Sequence, residues 1–120
     1  MAKVLLVSYL RELLEERRNA LHAAGHQATM AQSPEAAFAA IKLNSFDVAV
    51  LGFSVPEQER NDIARGLIRA NPETKIVMIY FSSIEHTELA DVLIPTTANA
   101  QDVLRAVNHV LRTNDHSKTG

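Results

Sequence analysis

Hydrophobic residues in this chain form short unbroken runs that alternate with longer segments of helical periodicity. Four such runs predict β-strands, at residues 3–7, 48–51, 75–81 and 92–94, and residues 26–31, HQATMA, predict a weaker strand between the first and second of them. Runs of Val, Leu, Ile and Ala without polar alternation are typical of parallel strands that are buried on both faces of a sheet. Because strands and helices alternate with short links, we expect parallel strands joined by right-handed crossovers.

The first predicted helix covers residues 11–24. Ser8 is expected to cap its start, and Gly25 is expected to end it in the left-handed conformation. Its apolar stripe consists of Leu10, Leu13, Leu14, Leu21 and Ala24. Arg17 and Arg18 follow two glutamates, so we interpret them as surface residues in i,i+4 ion pairs.

Three further helices carry clear start or stop signals. Ser33 followed by Pro34 predicts the N-cap and first turn of the second helix. The third helix is predicted over residues 61–70, after a polar loop at residues 57–60. Asn99 is expected to cap the last helix, whose apolar side is formed by Val103, Leu104, Val107, Val110 and Leu111.

These elements predict one domain, residues 3–112, followed by a polar disordered tail at residues 113–120. We predict an α/β fold, a three-layer sandwich around a five-stranded parallel sheet with strand order 2-1-3-4-5, as in flavodoxin-like folds. The capping box Ser82–Glu85 can start only a short helix before the fifth strand. The helix between the fourth and fifth strands is therefore expected to be shortened.

Composition excludes several classes of function. The chain is 47% hydrophobic and 22% charged, which is typical of a globular domain, and its net charge of −2 provides no basic surface for nucleic acid. It contains no cysteine, so neither disulfides nor thiolate zinc sites can form. No apolar run approaches the roughly 18 residues that span a membrane. We expect a soluble, cytoplasmic protein that binds neither nucleic acid nor membranes.

The residue that follows the third predicted strand is expected to lie at the centre of any functional site. In an open α/β sheet, ligands bind just outside the carboxyl ends of the strands. Here the sequence reads FDVAVLGFSVP, and the residue at that place is Gly52. Glycine contributes no carboxylate, hydroxyl or ammonium group, so this position supplies no side-chain chemistry.

Several motifs resemble the receiver domain of bacterial two-component response regulators, over roughly residues 3–112. They are the VLLV strand, a helix that ends in AAGH, the SPEAAFAAI helix, FDVAVL with a proline four residues past Gly52, and ADVLIP before QDVLRAV. Family receivers carry an acidic pair after the first strand, an acceptor aspartate after the third, a threonine or serine after the fourth and a lysine after the fifth. The residues at those places are Ser8, Tyr9, Gly52, Tyr80 and Thr96, and the family's aromatic switch position falls at Leu93. The chain thus resembles a degenerate receiver, or pseudo-receiver.

The resemblance implies that the phosphorylation chemistry has been lost. Phosphoryl transfer to a receiver needs a carboxylate nucleophile, which Gly52 lacks. Ser8 and Tyr9 offer magnesium only neutral hydroxyls, although magnesium sites usually include carboxylates. Thr96 cannot balance a phosphoryl charge as a lysine would. We expect no phosphoryl group, no magnesium, no other cofactor and no enzymatic activity.

Three hypotheses of function follow. The favoured one is a phosphorylation-independent, receiver-like signalling module that acts through protein–protein contacts. The alternative is a small-ligand sensor that binds at the C-terminal ends of the strands, with a pocket formed by Ser8, Tyr9, Gly52, Phe53, Tyr80 and Thr96. The third is an enzyme on a flavodoxin-like scaffold, which lacks support because no nucleophile–base pair or metal-ligand set occurs.

The remaining polar candidates have structural interpretations. Asp47 precedes the third strand and is expected to form a turn or capping hydrogen bond. The five histidines, His22, His26, His86, His109 and His116, are scattered, and we interpret them as solvated side chains rather than metal ligands. Tyr9 and Tyr80 are expected to fill the space that the missing acids and metal leave.

A partner-binding face is expected between the fourth strand and the last helix, since receivers generally pair there. The shortened segment before the fifth strand should uncover an apolar patch that consists of Ile84, Leu89, Leu93, Ala106 and Val110. Exposed patches beyond a few hundred Å² usually mark contacts. The expected partner is a protein, and a homodimer through this face is one form of that contact. The competing expectation is that the short segment folds down and covers the gap.

Overall fold

The computed structural model describes residues 2–80, 88–96 and 98–119, with side chains of the last helix described as far as Arg112. The strands are β1 (Lys3–Val7), β2 (Gln27–Ala31), β3 (Val48–Leu51), β4 (Lys75–Tyr80) and β5 (Val92–Pro95). The helices within the described residues are α1 (Arg11–Ala23), α2 (Pro34–Leu43), α3 (Glu57–Ala70) and α4 (Ala100–Thr119). The predicted alternation of strands and helices is confirmed.

The five strands form one parallel sheet in the order β2-β1-β3-β4-β5, which confirms the predicted topology. In the register of β1 with β3, Val7 lies opposite Leu51. Ser8 and Gly52 therefore leave the sheet side by side at its carboxyl edge, where α1 and α3 begin. This register is what brings the first and third strand ends into one site.

Helices cover both faces of the sheet, as expected of a three-layer sandwich. On one face, Leu5, Val7 and Leu51 pack in a core with residues of α2 and α3. On the other face, Leu6, Val48 and Val50 pack with residues of α1 and α4. All four residues of β3 are buried, because β3 lies in the middle of the sheet and is covered on both sides.

The local signals that the sequence provides for three helix ends are confirmed. Gly25 has a φ of 91°, the left-handed conformation that ends α1. The Ser33 hydroxyl accepts a hydrogen bond from the Ala36 backbone N–H at 3.1 Å, as an N-cap residue does. Asn99 and Asp102 each accept a hydrogen bond from the other's backbone N–H, which caps α4 and lowers the pKa of the Asp102 carboxyl.

One predicted helix cap and one predicted helix start are wrong. Helix α1 begins at Arg11 as predicted, but its N-cap is Leu10, whose side chain has no hydrogen-bond acceptor, and the Ser8 hydroxyl accepts from the Leu10 N–H instead. Helix α3 begins at Glu57, so residues 57–60 are helical rather than a polar loop. Pro56 has a φ of −55° and leads directly into the helix. The carboxylates of Glu57 and Glu59 in the first turn stabilise the helix, because they lie at the positive end of its dipole.

The end of α4 and the segment between β4 and β5 are where the sequence prediction meets the limits of the described residues. The backbone of α4 continues as helix through Thr119, where the sequence predicts a disordered tail from Thr113; the boundary of the domain at residue 112 stays a prediction. Phe81, the capping box Ser82–Glu85 and Ile84 lie outside the described residues. Among the helices within the described ranges, none is long and apolar enough to cross a membrane.

The predicted partner face is wrong at two of its residues. Val110 is 1% exposed and Ala106 is 7% exposed, and both belong to the core between α4 and the sheet. Leu89 is half-buried and packs against the core on the α2 and α3 face. Leu93 in β5 is 39% exposed and keeps its predicted place at the surface. The apolar stripe of α4 faces inward because the sheet covers it, so it offers no outer patch.

We predict that Val110→Asp unfolds the domain or lowers its free energy of unfolding by about 3 kcal/mol or more, because it buries a carboxylate without a partner. Gln101→Asp is the matched control, since Gln101 is exposed in the first turn of the same helix, where an acid is favourable. Urea titration of both variants measures the difference. Equal midpoints would contradict the assignment of Val110 to the core.

Candidate functional site

The five positions singled out by the sequence all lie at the carboxyl edge of the sheet. Ser8 and Tyr9 follow β1, Gly52 follows β3, Tyr80 ends β4 opposite Pro95, and Thr96 follows β5. Ser8 and Gly52 are buried, whereas the other three are half-buried. The Gly52 N–H donates to the Val7 carbonyl at 2.8 Å, which continues the pairing of β1 with β3 beyond the regular sheet.

Ser54 joins the loops that follow β1 and β3. Its hydroxyl oxygen accepts a hydrogen bond from the Tyr9 N–H at 2.8 Å and lies 3.0 Å from the Ser8 hydroxyl oxygen, with which it shares a second bond. The Ser8 oxygen also accepts from the Leu10 N–H at 3.1 Å. The hydroxyls thus satisfy one another and the backbone, so the two loops are held together by direct hydrogen bonds between them.

The Tyr9 side chain makes a second link between the same loops. Its hydroxyl donates to Glu59 Oε1 in the first turn of α3 at 2.6 Å. Burial raises the pKa of Tyr9, and so does the hydrogen bond to the Glu59 carboxylate. Tyr9 therefore stays neutral at physiological pH and keeps its place as a donor, while its ring packs against the core on the α2 and α3 face.

Gly52 is surrounded so closely that a side chain does not fit without a shift of its neighbours. A Cβ at this position would lie 3.0 Å from the Val7 carbonyl oxygen, 3.2 Å from Ser8 Cβ and 3.2 Å from Arg17 Nη1. Real Cβ contacts are rarely so short, and the nearest atom belongs to the backbone of a central strand. The absence of a side chain at residue 52 is thus a packing requirement of this site.

The Arg17 side chain is the functional candidate that the sequence interpretation missed. The sequence interpretation assigns it to an i,i+4 ion pair, but no ion pair of Arg17 is present among the described residues and only 4% of its surface is exposed. Its guanidinium reaches from α1 to Gly52. Burial lowers the pKa of Arg17, yet a guanidinium stays charged at neutral pH. The spacing was the available signal, since residue 17 lies three positions after Leu14 and four before Leu21, both buried.

A second arginine, Arg60, is buried at the same edge on the opposite face of the sheet. It is 4% exposed, and its Nη1 donates to the Ile79 carbonyl of β4 at 2.8 Å. The sequence interpretation placed it in a polar loop, although it falls on the buried stripe of α3 with Ile63, Ala64 and Leu67. Both arginines therefore bring positive charge to the carboxyl edge, where the resemblance leads us to look for acids.

The remaining polar candidates have structural roles. Asp47 Oδ2 accepts from the Lys3 N–H at 2.9 Å, a tertiary link between the starts of β3 and β1 rather than the local turn or capping bond that the sequence predicts. His26 is buried rather than solvated, and protein groups take the place of water at both ring nitrogens. Its Nδ1 accepts from the Ala2 N–H at 3.1 Å, and its Nε2 lies 2.9 Å from Asn108 Oδ1. Across residues 2–80, 88–96 and 98–112, no three His, Asp or Glu side chains lie together as a metal site.

The described residues that follow β1 and β3 at the carboxyl edge do not fit magnesium. The Ser8 and Ser54 hydroxyls are neutral and already bonded to each other. A cation near Gly52 would also meet the Arg17 guanidinium, a like charge that repels it. A compact anion is the kind of group that this charge arrangement favours.

The described cavities lie away from Gly52. One of about 420 Å³ lies at the opposite edge of the sheet, between the C-terminal ends of α2 and α3 and beside Phe46 and Thr74. Another of about 550 Å³ lies between β5 and α4 and is lined by Val92, Ile94, Pro95, Ala98, Asp102, Arg105, Ala106 and His109. We refer to this second cavity as the β5 groove.

No protein-family profile and no curated protein sequence matches this chain, whereas solved structures match its fold. A response regulator receiver domain protein (CheY-like) from Methanospirillum hungatei JF-1 has a TM-score of 0.85 and 20% sequence identity, over 98% of this chain and 98% of that chain. The chemotaxis protein CheY4 from Vibrio cholerae has a TM-score of 0.80 and 21% identity, over 92% of this chain and 98% of that chain. The response regulator TrrA from Thermotoga maritima, solved in complex with Mg²⁺ and BeF, has a TM-score of 0.77 and 18% identity, over 92% of this chain and 99% of that chain. The chain therefore has the fold of response regulator receiver domains.

We predict that Gly52→Ala lowers the free energy of unfolding by about 1–3 kcal/mol, because the new methyl group overpacks against the β1 backbone. Gly66→Ala is the matched control. A Cβ there would lie 3.1 Å from the end of the half-exposed Phe38 ring, which can move, and alanine favours the surrounding helix. Urea titration should show a lower midpoint for Gly52→Ala and a change within about 1 kcal/mol for Gly66→Ala. Equal midpoints for Gly52→Ala and the unchanged domain would contradict the close packing.

Proposed function

We propose that this domain is a phosphorylation-independent, receiver-like signalling module that acts through protein–protein contacts and catalyses no reaction. The observation that carries the proposal is the packing at Gly52, where the acceptor position of a receiver is filled by the Val7 carbonyl, Ser8 and the Arg17 guanidinium. The receiver fold supports the assignment to signalling, and this packing supports its independence from phosphorylation.

The loss of chemistry at this edge is consistent across the site. An aspartate at residue 52 would overlap its neighbours from its Cβ onward, and its carboxylate would meet Arg17 rather than a metal. Direct hydrogen bonds through Ser54 connect the loops after β1 and β3. Loops that are linked in this way support one constant conformation of the edge, so the domain is expected to signal by being present and binding a partner.

A second candidate function, a small-ligand sensor at the same edge, is favoured by one specific observation. The buried Arg17 guanidinium carries a positive charge, and no carboxylate among the described residues is bonded to it. A ligand that carries the opposite charge would offset the cost of that burial.

The proposal predicts that the domain takes up no phosphoryl group from acetyl phosphate in the presence of magnesium. Intact-mass spectrometry should give the unmodified mass before and after incubation. Gly52→Asp should also remain unmodified, because it restores the acceptor without metal ligands and places it against Arg17. A hydroxylamine-labile adduct of one phosphoryl group on the unchanged domain would contradict the proposal.

The surface that best fits a protein contact is the outer edge of the sheet at β5. This strand pairs only with β4, so its other edge is not paired within the sheet. Unpaired strand edges associate readily with another chain. Leu93 is exposed on β5, and the β5 groove adds apolar lining from Val92, Ile94 and Pro95 beside charges of both signs. We propose a second copy of this chain as the partner, since such a mixed rim suits a self-complementary contact.

We predict that the domain self-associates with increasing concentration and that Leu93→Glu weakens this association about tenfold or more, because it places a charge on the exposed edge strand that forms the contact. Leu43→Glu is the control, since Leu43 is 82% exposed at the end of α2, away from β5. Size-exclusion chromatography with light scattering measures mass over a range of concentrations, and thermal melting checks that both variants are folded. A monomer at all concentrations, or equal effects of the two variants, would contradict the homodimer.

A further inference from the structure

Arg17 is a buried cation for which no side-chain partner is described. No hydrogen bond or ion pair from its guanidinium to another described residue is present, and its two charged neighbours along the helix are the exposed Glu16 and the half-buried Arg18, of opposite sign. Taking a guanidinium out of water costs several kcal/mol unless opposite charge or acceptors replace the water. The side chain keeps 4% of its surface exposed, so it remains in contact with solvent at one small opening.

The surroundings of Arg17 add further positive potential. Both α1 and α3 begin at this edge, and their N-caps, Leu10 and Pro56, make no side-chain cap hydrogen bond. The first backbone N–H groups of each helix therefore carry partial positive charge that no N-cap side chain neutralises. Of the acids in these first turns, Glu59 is engaged by the Tyr9 hydroxyl, while Glu12 and Glu57 are exposed.

Gly52 is what makes room for this cation. A Cβ at residue 52 would stand 3.2 Å from Arg17 Nη1, so any other residue would push the guanidinium away from the carboxyl end of β3. The pair of Gly52 and Arg17 thus places a planar set of N–H donors at the centre of the edge. Guanidinium groups bind compact oxyanions through paired hydrogen bonds, and a buried guanidinium does so with less competition from water.

We propose that Arg17 is the anchor of an oxyanion-binding site at the carboxyl edge of the sheet, and that its ligand is a compact oxyanion such as phosphate. Binding is non-covalent, with the anion at the guanidinium and beside the starts of α1 and α3. This inference deepens the second candidate function by naming its ligand class. It does not depend on the protein-contact function, because neither β5 nor its groove takes part.

The test compares the thermal midpoint in sodium phosphate and in sodium chloride at equal pH and ionic strength, followed by calorimetric titration with inorganic phosphate. We expect phosphate to raise the midpoint of the unchanged domain and of Arg18→Met, which removes an equal charge from the neighbouring position of α1. Arg17→Met should melt at the same temperature or higher in chloride, because a buried charge is replaced by an apolar group. It should show no rise in phosphate and an affinity at least about tenfold weaker.

Two further measurements keep the result interpretable. Arg17→Lys retains the charge without the planar, forked set of guanidinium donors, so it should bind phosphate more weakly than the unchanged domain does. This variant replaces Arg17→Met in the comparison if Arg17→Met fails to fold. Titration of ¹⁵N-labelled protein should move the Gly52 amide resonance, and AMP is titrated beside inorganic phosphate. Tighter binding of AMP that is lost in the Arg17 variants would assign the ligand to phosphate monoesters. Absence of phosphate and AMP binding by the unchanged domain, or equal binding by an Arg17 variant, would overturn the proposal.

Discussion

The carboxyl edge of this protein depends on one close approach, that of the β1 backbone to residue 52. The Val7 carbonyl, Ser8 and the Arg17 guanidinium all lie within 3.0–3.2 Å of the point where a Cβ would stand. Glycine permits this packing, and the Gly52 N–H secures it through its bond to Val7. The absence of a side chain at residue 52 and the buried cation are therefore two aspects of a single arrangement, because a larger residue would displace the guanidinium.

The hydrogen bonds around that approach connect loops that the sheet alone would leave independent. Ser54 binds Ser8 and the Tyr9 backbone, and the Tyr9 hydroxyl binds Glu59 at the start of α3. Each of these three hydroxyl groups has a hydrogen-bond partner in the protein, which is the condition for burying a hydroxyl at low cost. Neutral hydroxyls and a guanidinium together favour anions and disfavour metal cations, so the electrostatic character of this edge suits a ligand very different from magnesium.

Burial decides which surfaces remain for partners. The apolar stripe of α4 is covered by the sheet, so Val110 and Ala106 stabilise the core. The exposed apolar surface near this helix lies instead on β5, which is an edge strand with Leu93 facing out. Burial also includes two charged residues, Arg17 and Arg60. Their long apolar stems lie along buried stripes, and their charged ends reach the carboxyl edge.

The sequence by itself determined the features that depend on neighbours along the chain. Apolar runs located four of the strands, a weaker pattern at residues 26–31 indicated the other, and Gly25, Ser33 and Asn99 marked helix ends, because caps and left-handed turns are local. The short links indicated parallel strands whose ends meet at one edge, and the strand order followed from the pattern of flavodoxin-like folds.

Only the tertiary structure decided which side chains occupy that edge. The contacts of Ser54, Tyr9 and Arg17 join residues far apart in the chain, and no local pattern specifies them. A charged residue on an apolar stripe can face solvent or follow the stripe into the core. For Arg17 the outcome depended on the space beside Gly52, which exists only once β1, β3 and α1 are packed together.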